Sequence, residues 1–256
     1  SYNYMGNQGL IPNSDLKRHS ISATGTYEIS KKIKLNSNLN FVRSQSDNRP
    51  STANRGANPI EAAYQWSNVD IRELKNYWVP GNEQIKQLSP TNGDNPYFLA
   101  YGINNGFNRD RIYGNMKLDY EITPELTAFA RVSHDMFVED RETKIPWSYS
   151  RVRNGGYYLQ GIGRKETNTD FLLTYKKKIN ALDLSVSGGG NYMVQNYKED
   201  YMGGSILTVP GLYRVSNIPL ASLQVSNSSN KKAIYSLYGM ASVGYKNMVY
   251  LAQINV

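Results

Sequence analysis

The sequence predicts an all-β fold, an antiparallel barrel whose strands cross a membrane. Three observations predict it: long segments of period-two alternation, the length of those segments, and tight turns that alternate with long connections. The stretch IKLNSNLNF, from Ile33 to Phe41, shows the first. Ile33, Leu35, Leu39 and Phe41 are apolar, with Ser37 the weak member, and Lys34, Asn36, Asn38 and Asn40 stand between them. Alternate side chains of a strand point to opposite faces, so this ribbon has one greasy face and one amide-rich face.

The same pattern recurs along the chain. From Arg18 to Ile29, His19, Ile21, Ala23, Gly25, Tyr27 and Ile29 oppose Arg18, Ser20, Ser22, Thr24, Thr26 and Glu28. From Arg111 to Ile122, Ile112, Met116, Leu118, Tyr120 and Ile122 oppose Tyr113, Asn115, Lys117, Asp119 and Glu121. From Leu126 to Val138, the even positions Leu126, Ala128, Ala130, Val132, Met136 and Val138 form the apolar edge against Thr127, Arg131, Ser133, Asp135 and Glu139. Segments 166–177, 182–196 and 230–246 behave alike, with Phe171, Leu184 and Leu237 on their apolar edges.

These runs reach twelve residues or more, whereas soluble strands usually manage about five or six. Short turns at 30–32 (SKK), 123–125 (TPE), 179–181 (INA) and 246–247 (KN) alternate with long connections over 47–108, 140–165 and 198–229. That layout matches outer-membrane barrels, which have short periplasmic turns and long extracellular loops. About ten tilted residues cross the hydrocarbon, where backbone groups must pair in a closed sheet. The apolar edges are therefore expected to face lipid and the amide edges a wet or plugged interior. A soluble lipocalin-like barrel or sandwich is the alternative, and it would turn the apolar face inward.

Composition excludes other classes. With 39% hydrophobic residues and a mean hydropathy of −0.57 across 256 residues, the chain is too polar for a helical membrane protein. Its 12% aromatics, 21 tyrosines among them, are too many for a disordered chain. It has no cysteine, so neither disulfides nor thiolate chemistry enter. The charge of +8 is scattered, and basic and aromatic residues do not interleave on one face as a nucleic-acid binder requires. Ser1 to Met5 read as strand interior, not as a signal peptide, and the chain is expected to be a piece of a longer protein.

Within 47–108, Asn58, Pro59 and Glu61 spell a helix start: a capping side chain, proline at the first helical position, an acid in the first turn. The order helix, NPYF (95–98), RDR (109–111), long strand, proline turn, strand resembles the SusC/RagA family of TonB-dependent transporters. SYNYMGNQGLIPNS (1–14), NTDFLLTYKKKI (168–179), GGGNYM (188–193), PGLYRVSN (210–217) and KKAIYSLYGMASVGYKN (231–247) extend the resemblance over nearly the whole chain. Beyond Leu251 the family tends to continue with an acidic-led strand, and AQINV departs from that pattern.

The resemblance implies a barrel of about 22 strands closed by a plug. It also implies import of oligosaccharides or peptides powered by the TonB system, with a SusD-like surface lipoprotein as lid. Residues 1–256 then correspond to a contiguous barrel segment of seven complete and two partial strands, without plug, TonB-contacting segment or remaining strands. A siderophore or cobalamin receptor without a lid is the runner-up, and a non-transporting structural or adhesive barrel belongs to a different class.

No residue set points to catalysis, so the chain is read as a non-enzyme with no cofactor and no metal. His19 and His134 lie on the apolar parity toward the long-connection ends of their strands, and two histidines alone do not make a metal site. SGGGN (187–191) lacks the strand–loop–helix context of a phosphate loop, and strand glycines more often mark close backbone approach. Asp135 and Glu139 are expected to pair with arginines of the Arg131 kind. Candidates to contact substrate or lipoprotein are the connection aromatics Tyr64, Trp66, Tyr77, Trp78, Tyr97, Phe98, Trp147, Tyr149, Tyr157 and Tyr158. Flat rings suit the apolar faces of sugars, though rings in loops more often pack on one another. Tyr27, Tyr120, Tyr175 and Tyr245 sit on the apolar parity near short turns and are expected to form a periplasmic aromatic girdle.

Overall fold

Antiparallel pairing of sequence neighbours carries the whole architecture. The computed structural model describes residues 1–51, 57–64, 69–79, 94–245 and 248–255, the last run by its backbone. One sheet contains β1 (Tyr2–Gln8), β2 (Asp15–Ser30), β3 (Ile33–Ser46), β4 (Asn104–Glu121), β5 (Leu126–Tyr149), β6 (Val152–Ile179), β7 (Leu182–Gly204), β8 (Gln224–Tyr245) and β9 (Met248–Asn255), in that spatial order.

Register carries the face assignment from strand to strand. Ile21 lies opposite Phe41, Phe41 opposite Ile112, and Ile112 opposite Met136. Val132 faces Thr169, Thr169 faces Tyr192, and Tyr192 faces Tyr235. All seven apolar edges read from the sequence thus fall on one face of the sheet. A slip of one residue in any pair would have sent that strand's apolar set to the other face.

This face has no cover within the described residues. Leu39 is 58% exposed, Phe171 54% and Leu237 67%. In the soluble alternative these side chains would form the core; here the buried clusters lie where the connections pack on the far ends of β5 and β6 instead. A continuous exposed apolar face of this kind is what lipid, the missing solvent, would cover.

The opposite face is polar and cross-linked. Asn36 donates to Asp119 at 2.9 Å and accepts from Thr26 at 2.8 Å. Arg111 grips Asp135 with two hydrogen bonds, and Arg131 reaches Asp170 at 3.0 Å. Arg109 and Arg141 both bind Glu139, whose side chain is fully buried between them.

The tight turns follow the sequence reading. Lys31–Lys32 joins β2 to β3, 122–125 joins β4 to β5, and Asn180–Ala181 joins β6 to β7. Asn180 takes φ 54°, the left-handed conformation a two-residue hairpin needs and asparagine tolerates. The turn at 246–247 lies outside the described residues, between the paired Tyr245 and Met248.

One expected connection is not a connection. Residues 140–165 are strand throughout except Ser150 and Arg151, because β5 and β6 run far past the apolar belt as a paired hairpin. Alternation stops near Val138 because beyond the apolar belt no single face has to be apolar throughout, and the backbone ladder persists without an apolar edge. The connection after β7 is correspondingly shorter than read, 205–223, and that between β3 and β4 spans 47–103.

Candidate functional site

The sheet offers three places where function can reside: the belt that meets lipid, the folded outer connections, and the polar face. Each is built by the register. The rung through Tyr27 passes Leu35, Leu118, Ala130, Phe171 and Gly190 to reach Leu237, and Tyr245 lies eight residues beyond it toward the tight turn. Tyr120 and Tyr175 fall between, each further down its strand than the last. With about 3.4 Å per residue and about 4.8 Å per strand, the row slopes at about 43° to the rungs. Strands of outer-membrane barrels tilt by about 35–45°, so a row at constant membrane height must slope by that amount.

A second row runs nearly parallel, nearer the long connections. The rung of His19 leads through Arg43, Asp110, Val138, Gly163 and Lys198 to Ser229, and Tyr235 stands six residues beyond it, a slope of about 35°. His134 and Tyr192 fall along this line, and Tyr4 packs on His19 at 4.9 Å. At the same height on the same face, Arg43 and Asp110 make a bidentate ion pair. The two rows are separated by about 20–26 Å along the tilted axis, the height of an outer-membrane apolar band. Both histidines on this row are hydrogen-bonded: His19 to the Tyr2 hydroxyl and His134 to the Thr167 hydroxyl, each at 2.9 Å.

The outer connections are folded bodies. The Asn58 side chain accepts from the Ile60 and Glu61 amides and starts the helix α1 (Pro59–Tyr64). Asn95, the first residue of NPYF, is fully buried; it accepts from the Tyr97 amide at 2.9 Å and donates to Leu74 O at 2.9 Å. Asp94 beside it accepts from the amide and hydroxyl of Ser150, tying the connection to the tip of the β5–β6 hairpin. Asn48 bridges Ala100 O and the Asn105 amide.

This scaffold decides where the candidate aromatics go. Phe98 is fully buried and Tyr149 nearly so, in a cluster with Leu99 and Ile103 that Tyr77 and Trp78 cover. Tyr157 is buried with Leu207 and Ile218, and Trp147 packs against that second cluster. The Trp147 indole nitrogen is buried with no acceptor among the described residues. Tyr64 is 69% exposed. Tyr97 stacks on Tyr101, and Tyr158 stacks on Tyr201, both partly accessible. Trp66 lies outside the described residues.

Glu139 pairs with arginines as the sequence suggests, but the extent of its cluster is not legible there. Arg109 and Arg141 flank Glu139, Arg141 donates to Gln160 at 3.1 Å, and Gln160 donates to Glu199 at 2.6 Å. Arg141, Gln160 and Glu199 fell in segments read as loops, so their shared parity went unread. Burial works against the Glu142 carboxylate, yet Lys144 and the Tyr157 hydroxyl hold it below the usual range. Among the described residues no cluster of three metal-ligating side chains occurs.

Fold and belt define the wall of an outer-membrane β-barrel. No family model matches the chain. It is 27% identical to the TonB-dependent receptor P3 of Formosa agariphila over 267 residues, which cover 96% of this chain and 25% of that protein. The RagAB peptide importer in its closed-closed state superposes with a TM-score of 0.68 at 16% identity, over 95% of this chain and 28% of that one. The ferric-catecholate import receptor Fiu of E. coli K12 superposes with a TM-score of 0.55 at 12% identity, over 94% and 37%. This chain thus spans about a quarter of the length of the curated relative it matches. Its fold is that of barrel strands in TonB-dependent receptors, and in sequence it is similar to one such receptor.

Proposed function

We propose that these strands belong to an importer that takes a large nutrient, an oligosaccharide or oligopeptide, across the outer membrane at the expense of TonB, beneath a SusD-like surface lipoprotein. The observation that carries this reading is the folding of the outer connections into packed, hydrogen-bonded bodies on the ends of long strands. Such ends form a firm rim on which a lid can seat, which mobile loops would not. The closer superposition on a peptide importer than on Fiu supports the same choice over a lidless siderophore or cobalamin receptor.

In this reading residues 1–256 are barrel wall, and the plug and TonB-contacting segment belong to other parts of the receptor. The protein holds and passes its cargo without catalysis and without a cofactor. Tyr27, Tyr120, Tyr175 and Tyr245 form the periplasmic girdle, which puts 47–103, 150–151 and 205–223 outside the cell. Their common slope supports that orientation. The exposed Tyr64 and the half-exposed Tyr97 and Tyr158 are the ring faces open to cargo or lid.

Purification of the full receptor from native membrane in mild detergent tests the reading. It should bring down a surface lipoprotein, and uptake should cease when TonB is deleted. A lone receptor whose uptake still needs TonB would favour the lidless class. Uptake indifferent to TonB would leave only a structural barrel.

A further inference from the structure

On the polar face, beyond the membrane belt, an open recess of about 670 Å³ is lined by Arg49, Asn105, Arg141, Thr143, Tyr158, Gln160 and Tyr201. Its chemistry is unbalanced in a particular way. Three guanidiniums, of Arg49, Arg109 and Arg141, gather near two carboxylates, and both carboxylates are already engaged. Glu139 holds Arg109 on one oxygen and Arg141 on the other. Glu199 accepts from Gln160 at 2.6 Å on one oxygen and from the Tyr197 hydroxyl at 2.6 Å on the other. None of the ion pairs among the described residues includes Arg49.

Arg49 is nonetheless held in place. Its backbone amide donates to Asn105 O at 2.8 Å, and its guanidinium lies over the Phe107 ring at 4.6 Å. Burial, with Arg141 and Arg109 added, pushes its pKa below the usual guanidinium value while Glu139 pulls the other way. Cations crowded in this manner are relieved by one more anion. Beside them Tyr158 and Tyr201 stack at 6.1 Å with planes 26° apart and offer ring surface to the same recess.

We propose that this recess is a subsite for an acidic oligosaccharide, with Arg49 and Arg141 taking a carboxylate or sulfate group and the Tyr158–Tyr201 pair lying against its sugar ring. The planar fork of arginine suits either anion, and aromatic rings suit the apolar face of a pyranose. A flexible acidic peptide would use the arginines and leave the paired rings idle. The assignment rests on the import reading above and narrows its cargo.

The test titrates the intact receptor, with any lipoprotein that copurifies, against four probes of equal length. These are oligogalacturonate, a sulfated galactan oligosaccharide, the neutral galactan oligosaccharide and oligoglutamate. At least one acidic saccharide should bind about tenfold tighter than the neutral one, and the tighter of the two identifies the anion. The preference should weaken as salt is raised. Arg49→Gln and Arg141→Gln should each lower acidic affinity about tenfold and leave neutral affinity unchanged. Tyr158→Ala should weaken both acidic and neutral chains. Equal affinities for acidic and neutral chains, or equal losses for both in Arg141→Gln, would overturn the subsite. Tightest binding of oligoglutamate would overturn the sugar assignment. An acidic saccharide that binds as described yet never accumulates in cells would instead refute import while leaving the subsite intact.

Discussion

Tyr192 and Tyr235 stack across β7 and β8 with ring centroids 4.5 Å apart and planes 22° from parallel, on the face that carries the apolar rows. They close the upper row that begins at His19, and in the proposed orientation they mark the outer lipid boundary and not its middle. An arginine costs about 0–1 kcal/mol near an interface of a transmembrane barrel and about 2–4 kcal/mol at the midplane. Tyr235→Arg should therefore assemble with little loss. Leu39→Arg, between the two rows, should assemble poorly.

Asn38→Arg supplies the matching control for the face assignment. Asn38 neighbours Leu39 but points to the polar side, where it accepts from Asn40. This variant should reach the outer membrane at close to the parental yield. Equal yields for Leu39→Arg and Asn38→Arg in a heat-modifiability gel would remove the basis for lipid on the apolar face.

The glycines of SGGGN divide by what a methyl group would meet. At Gly189 an added Cβ would sit 2.3 Å from Phe171 O and 2.9 Å from Leu172 Cδ1, whereas at Gly188 nothing lies within 4 Å. Gly189→Ala should destabilise the barrel by roughly 1–3 kcal/mol, the usual cost of overpacking. Gly188→Ala should stay within about 0.5 kcal/mol of the parent. Urea unfolding in detergent distinguishes them, and equal shifts would contradict the close approach of β6 to β7.

Tyr157 gives a pH signature outside the membrane. Burial, then its hydrogen bond to Glu142 at 2.8 Å, pushes the Tyr157 hydroxyl up to about 12. A folded pKa above the unfolded one favours the folded state at all pH below about 10. That contribution, at most about 3 kcal/mol, is lost between about pH 10 and pH 12. The difference in ultraviolet titration between the parent and Tyr157→Phe should show one tyrosine ionising near the upper end of that window. Ionisation at the ordinary tyrosine value would mean that the 205–223 connection does not cover this ring.

The part of the fold within lipid was legible because lipid imposes a period. Leu39, Met116, Val132 and Phe171 must alternate with polar neighbours, and each registers as a two-residue rhythm that composition alone does not hide. Past Val138 that constraint ends. Asp140, Arg141, Glu142, Thr143 and Lys144 have no rhythm, yet they remain in a paired strand, so a reading based on rhythm took them for a loop. Arg141, Gln160 and Glu199 went with them, so the arginine pairing expected of Glu139 could not be extended into the full cluster, since a shared face has no meaning in a loop. Phe98 and Tyr64 also looked alike as connection aromatics. Their fates differ because Asn95 and Asp94 fold the chain over one and not the other, and those hydrogen bonds span distances no local pattern records.

The central claim is that the tight turns face the periplasm and the long connections face outward. The chain contains no cysteine, so single cysteines introduced into the receptor report unambiguously wherever its remainder is also cysteine-free. Arg151→Cys at the β5–β6 tip and Leu220→Cys, where the side chain is 86% exposed, should react with a membrane-impermeant maleimide on intact cells. Lys31→Cys in the β2–β3 turn should react only after the outer membrane is permeabilised. Labelling of Lys31→Cys on intact cells, with Arg151→Cys and Leu220→Cys protected until permeabilisation, would contradict the orientation and every assignment built on it.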